Sequence, residues 1–136
     1  MATVTNLELT TQHTRIMDYN SDFKFDFHTS GLKGETWFHQ LLEDKKIEVK
    51  NEEWLSGVTG NVYIEYQFKG RKSGLATTEA DYWAFKLSDE RAFIIGTNEL
   101  KAKIRSLITS GNARSGIKGG DSNLSLGVLV KIKDLI

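Results

Sequence analysis

Four charged side chains and one amide invite a chemical reading: Glu35, Glu48, Lys50, Glu65 and Gln67. Glu48 and Lys50 stand two apart in Ile47-Glu48-Val49-Lys50. That alternation of apolar and charged residues predicts a strand with both charges on one face. Glu65 and Gln67 repeat the spacing inside the strongest strand signal of the chain, 62–68, where Val62, Ile64, Tyr66 and Phe68 alternate. Joined as an antiparallel hairpin with Ile47, Val49, Ile64 and Tyr66 buried, the two strands would place Glu48 opposite Glu65 and Lys50 opposite Tyr63. Carboxylates paired in this way sit about 5 Å apart at Cβ and repel each other. A divalent cation between them removes the repulsion, and magnesium is usually held by one or two carboxylates plus water. A lysine beside such a cation can orient a water and stabilise a pentavalent phosphate. On a solvated sheet the same residues would form only a salt bridge.

A third acid comes from the segment before these strands. Residues 32–43 predict a helix, with Leu32, Phe38, Leu41 and Leu42 apolar. Glu35, Phe38 and Leu42 fall at spacings of three and seven, so Glu35 points along the apolar stripe. A buried carboxylate without a partner is costly, which suggests a ligand. The competing explanation is an acid in the first helical turn, favoured by the dipole.

The rest of the chain must position these groups. Its 136 residues predict one domain. A 39% hydrophobic and 26% charged composition is that of a globular protein. Cysteine is absent, which excludes disulfides, thiolate metal sites and cysteine catalysis and suits an intracellular protein. His13, His28 and His39 are scattered, so a zinc site is not expected, and His39 reads as a surface residue. No apolar run is long enough to span a membrane, and MATVTNLELTTQ does not read as a signal peptide. Proline is absent, so glycine must supply the turns.

Further strands are expected at 23–27, 82–87, 92–95 and 126–132, and a helix at 99–108. A short helix is expected at 77–80, and loops at 51–60 and 110–123, which are glycine-rich. Helices and strands thus alternate irregularly, which gives a mixed α/β domain with helices packed on a small sheet. The net charge of zero conceals an asymmetry: residues 1–100 carry a balance of −5 and residues 101–136 one of +5. The basic part 101–136 holds Lys101, Lys103, Arg105, Arg114, Lys118, Lys131 and Lys133, a candidate surface for a polyanion. Lys69, Arg71 and Lys72 form a second basic turn. Ser73-Gly74 and Thr77-Thr78 offer hydroxyls and amides to phosphate oxygens, or simply a turn and a cap. Trp37, Tyr82 and Trp83 read as core, and Trp54 as a loop residue.

Three pieces resemble the PD-(D/E)XK nuclease superfamily: Gly34-Glu35 opening a helix, Ile47-Glu48-Val49-Lys50, and a longer block. That block runs Thr59-Gly60-Asn61-Val62-Tyr63-Ile64-Glu65-Tyr66, then Ser73-Gly74-Leu75-Ala76-Thr77-Thr78-Glu79-Ala80-Asp81-Tyr82-Trp83, and is similar to small phage-encoded endonucleases of homing type. The resemblance covers about residues 24–90. It implies a single α/β domain over 1–136 with a restriction-endonuclease-like core, a small mixed central sheet flanked by helices. It implies an Mg2+-dependent endodeoxyribonuclease, with Mn2+ able to substitute, acting on double-stranded DNA. Glu35, Glu48 and Glu65 would bind the metal, and Lys50 or Gln67 would assist the water. A double-strand break requires two such sites, hence a homodimer or higher oligomer. The setting would be the host cytoplasm for a phage-encoded enzyme. The family's usual order also has an Asp on one strand before Glu-x-Lys on the next. Asp44 is too close in sequence to Glu48 for a hairpin. Either Asp26 supplies that acid, or Glu48 does and Glu65-Tyr66-Gln67 replaces Glu-x-Lys. The alternatives are a Holliday-junction resolvase-like nuclease, or a non-catalytic DNA-binding domain on the same fold.

Overall fold

A computed structural model describes residues 30–120 and 122–136. The chain divides into two compact units, 1–45 and 46–136. In the first, helix α1 runs Ser30–Asp44. The strand expected at 23–27, and Asp26 with it, lies outside the described residues.

The second unit begins with strand β1, Ile47–Asn51, followed by helix α2, Glu53–Thr59, and strand β2, Asn61–Phe68. A loop is expected at 51–60, but a helix forms. The Asn51 side chain accepts the Glu53 N–H at 3.2 Å, and Gly60 closes α2 in the left-handed region at φ 73°. Its apolar residues gave no helical signal because they face solvent, Trp54 being 76% exposed. Strand β3, Arg71–Lys72, and a single 3-10 turn at Gly74–Ala76 precede strands β4, Tyr82–Ser88, and β5, Arg91–Gly96. The helix expected at 77–80 is absent. The Thr78 hydroxyl instead accepts the Ala80 N–H at 3.1 Å, and Lys46 O takes the Asp81 and Tyr82 N–H groups. Helix α3, Thr97–Thr109, strand β6, Arg114–Gly119, strand β7, Ser125–Lys131, and helix α4, Ile132–Leu135, complete the unit.

The α/β class is as the sequence suggests. The described strands fall in two sheets, β1-β4-β5 and β3-β2-β7-β6. β1 and β2 therefore do not pair, and the expected hairpin is corrected. β1 runs parallel to β4, with Glu48 beside Trp83 and Lys50 beside Phe85. β2 runs antiparallel to β7, with Val62 beside Val130 and Ile64 beside Val128. The reason is α2, which carries the chain from one sheet to the other.

The two sheets and α3 enclose one core. Val62, Ile64, Val128 and Val130 come from one sheet, Trp83, Phe85 and Ile95 from the other, and Leu100 and Ile104 from α3. β6 replaces part of the glycine-rich loop expected at 110–123. Its glycines hid it from pattern reading, yet Gly119 is required there: a Cβ would come within 2.6 Å of the Tyr63 ring, which also lies over Gly127. The Tyr63 hydroxyl donates to Ile117 O at 3.0 Å and ties β2 to β6 across β7. Among the described residues, no helix is long and apolar enough to cross a membrane.

Candidate functional site

β1 turns the opposite way from its sequence pattern. The expectation buries Ile47 and Val49. In the structure Ile47 is half-buried but Val49 is 63% exposed, whereas Glu48 and Lys50 are half-buried. Parallel register explains the inversion, because paired residues share a face. Glu48 and Lys50 lie in register with Trp83 and Phe85, both fully buried. The charged pair thus stands on the core-facing side, at its margin. Lys50 Nζ is 3.7 Å from Glu48 Oε1 and 5.4 Å from the centroid of the Trp83 ring. The buried indole face holds the ammonium beside the carboxylate, a cation–π contact of about 1 kcal/mol at a half-exposed position.

Glu48 opens into a cleft of about 360 Å³, lined also by Lys46, Gly74, Thr77, Thr78 and Glu79. Asp81 fixes one wall, since its carboxylate accepts the Lys46 N–H at 2.9 Å. Thr97 holds the same end of the 77–81 segment, its hydroxyl donating to Ala80 O at 2.7 Å and its N–H to Asp81 O at 2.9 Å.

Glu65 approaches the same segment from β2. Its Oε2 accepts the Ser73 hydroxyl at 2.8 Å and its Oε1 the Ser125 hydroxyl at 2.6 Å. Gly74 sits against the Glu65 main chain at φ +50°, so close that a Cβ would collide with the Glu65 carbonyl oxygen. Gly74 therefore joins the two acids: it lines the cleft beside Glu48 and rests on Glu65. The expected direct pairing of Glu48 with Glu65 is corrected, because Glu65 lies opposite Gly127. Gln67 does not share a face with Glu65 either. A β-bulge after Glu65 sets Gln67 opposite Leu126, the neighbour of Gly127 on β7, so the two side chains leave opposite faces. Glu65-Tyr66-Gln67 is thus no geometric substitute for Glu-x-Lys.

Glu35 lies on α1 in the first unit and is buried, 7% exposed, as is Leu41. It stands in the second turn, and the first turn of α1 holds no acid, so the dipole explanation fails. Leu42, expected on the same stripe, is exposed. Asp44 is exposed at the end of α1.

Two acids escaped sequence reasoning. Glu79 lines the cleft with Glu48. Its only signal was its place after Thr77-Thr78 in the distinctive block. Glu52 follows β1 at the N-terminus of α2 and is half-buried. Burial raises its carboxyl above the ordinary glutamate value, against the lowering influence of Lys50 and of the Tyr63 N–H. Among the described residues no group of three or more His, Cys, Asp or Glu side chains is gathered to hold a metal. The cleft offers two carboxylates, the number magnesium commonly takes, with hydroxyls beside them.

The basic C-terminal residues do not form one surface. Lys101 and Arg105 edge an apolar groove of about 390 Å³ floored by Ile64, Leu75, Ile104 and Val128. Arg114 pairs with Leu129 and Lys118 with Leu126, so those two face opposite sides of the sheet. Comparison with family models, with curated proteins and with solved structures finds no match for the chain.

Proposed function

We propose that the chain is a metal-dependent endonuclease hydrolysing phosphodiester bonds in DNA, with the cleft at Glu48 as its active site. The observation that supports this reading most is the inverted β1. It turns Glu48 and Lys50 toward the core and sets Glu48 in a cleft with Glu79, Gly74 and two threonines. Beyond the Trp83 contact, turning Val49 outward and half-burying a charged pair costs stability, which a chemical role would account for.

The donor set fits a hard divalent cation: Glu48 and Glu79 would hold it, with water filling the remaining positions. When bound, magnesium would acidify a water and offset the charge of a phosphate. The protein's own groups have separate tasks. Lys50, held on Trp83, aims Glu48, and places a positive charge where negative charge develops. Thr77 and Thr78 offer hydroxyls to phosphate oxygens. Glu65 and Ser73 hold the Gly74 turn at the distance the cleft requires.

The test is incubation of purified protein with supercoiled plasmid and with oligonucleotide duplexes, with magnesium, with manganese and with EDTA. Cleavage that needs the cation and is lost in Glu48→Gln supports the reading. Metal-independent cleavage, or none on any DNA, overturns it. DNA binding without cleavage would leave a non-catalytic DNA-binding domain.

A further inference from the structure

The outer face of the four-stranded sheet holds a second cleft. On β7 the residues Ser125, Gly127, Leu129 and Lys131 point away from the face of Val128 and Val130, which are buried. Pairing extends this outer face sideways, with Asn61 of β2 opposite Lys131 and Arg114 of β6 opposite Leu129. The connection from α3 to β6 closes one end. There Leu107 O accepts the Asn112 and Ala113 N–H groups, and Ile108 O the Gly111 N–H. Asn61, Gly111, Asn112, Arg114, Leu129 and Lys131 thereby line a cleft of about 150 Å³.

Its chemistry is one-sided. Two cations and two amides face it, and no carboxylate lines it. Neither Arg114 nor Lys131 forms an ion pair with another described residue. Two like charges brought to one cleft from different strands repel each other, and an anion between them reverses the sign of that interaction. The guanidinium fork matches two oxygens of a phosphate, while a lysine serves as a mobile point charge. The volume is that of a few waters at about 30 Å³ each, suited to a phosphate group and below the roughly 300 Å³ at which organic ligand sites begin.

We infer that this cleft binds a phosphate-type oxyanion, with Arg114 and Lys131 as its charged ligands and the Asn61 and Asn112 amides beside them. The inference does not rest on the proposed hydrolysis, since none of these residues lines the Glu48 cleft. The oxyanion comes either from a nucleic-acid backbone or from free phosphate and its monoesters.

Inorganic phosphate is titrated into the full 15N-labelled chain at constant ionic strength, without divalent metal, and amide resonances are followed. Saturable shifts are expected at Asn61, Gly111, Asn112, Arg114 and Lys131. In Arg114→Ala/Lys131→Ala the affinity should fall about tenfold or more. In Arg71→Ala/Lys72→Ala, an equal loss of charge on β3, it should stay within about twofold. Arg114→Lys keeps the charge without the fork and should fall between, which provides a reading if the double variant fails to give a folded spectrum. Absence of saturable shifts at these residues, or an equal loss in both double variants, overturns the inference. A short duplex added in EDTA separates the sources. Displacement of phosphate from these resonances assigns the site to a DNA backbone, and continued phosphate binding beside bound duplex assigns it to free phosphate. Plasmid cleavage is read in a separate assay, so loss of one conclusion leaves the other standing.

Discussion

Gly74→Ala tests whether one small residue sets the distance between two acids. Gly74 has φ +50°, and a Cβ there would strike the Glu65 carbonyl oxygen. Two costs follow. An alanine in the left-handed region costs about 1–2 kcal/mol relative to the ordinary helical region. The clash is with main chain, not with the end of a flexible side chain, so either β2 or the 73–78 segment must shift, at a further 1–3 kcal/mol or so. β2 is held by β7 along its length, so the 73–78 segment is the part that moves. The sum, roughly 2–5 kcal/mol, is a large fraction of the about 5–15 kcal/mol of an ordinary domain. Urea unfolding followed by tryptophan fluorescence measures it, and the midpoint should fall without a change in slope. Gly57→Ala is the matched control. Gly57 lies in α2 with open space around its Cα, so alanine there should stabilise by about 0.5–1 kcal/mol. Because Gly74 lines the Glu48 cleft, the variant should also lose cleavage beyond what unfolding explains. A stability loss below about 1 kcal/mol with full activity would refute the reasoning, since the turn would then tolerate displacement.

Further outcomes follow from the same geometry. Lys50→Ala should lower cleavage by about 100-fold or more while DNA binding persists, measured by single-turnover kinetics and gel shift; unimpaired turnover removes Lys50 from the mechanism. Glu52→Gln should change the pH dependence of stability. The half-buried Glu52 carboxyl keeps its proton to a higher pH than the unfolded chain, whose value is 4.5. Stability therefore falls as pH rises from that value through the raised folded value, and levels off above it. In the variant the urea midpoint below pH ~4 should fall relative to that near pH 7, compared with the wild type, and an unchanged difference sinks the assignment. Trp83→Ala should cost about 3–5 kcal/mol, because the side chain is fully buried. Trp83→Phe should cost far less, because the indole N–H is buried without a hydrogen-bond partner; equal losses in thermal unfolding would contradict that. Replacing Lys101 and Arg105, which edge one groove, with alanine should flatten the dependence of log affinity for DNA on log salt, by close to one unit for each phosphate contact removed. An unchanged slope would shift attention to Lys69, Arg71 and Lys72.

Local periodicity and composition carried part of this structure in one dimension. Alternation in 62–68 and 82–87 and the apolar stripe of 99–108 recovered β2, β4 and α3 to within a residue or two. The absence of cysteine closed off thiol chemistry. Glu48 and Lys50 were legible as one side of a strand because a period of two is a property of the backbone itself. The neighbouring strand and the buried side were decided only in three dimensions. Alternation is unchanged when a strand is turned over, so Val49 and Glu48 each had a claim to the interior until β4 brought Trp83 and Phe85 into register. One bulge separated Glu65 from Gln67, and one helix of seven residues sent β1 and β2 to different sheets. Glu79 reached the Glu48 cleft because Lys46 and Thr97, distant in sequence, bind the 77–81 segment in place through Asp81 and Ala80. Contacts of that kind depend on which surfaces meet after folding, and no window of neighbouring residues records them.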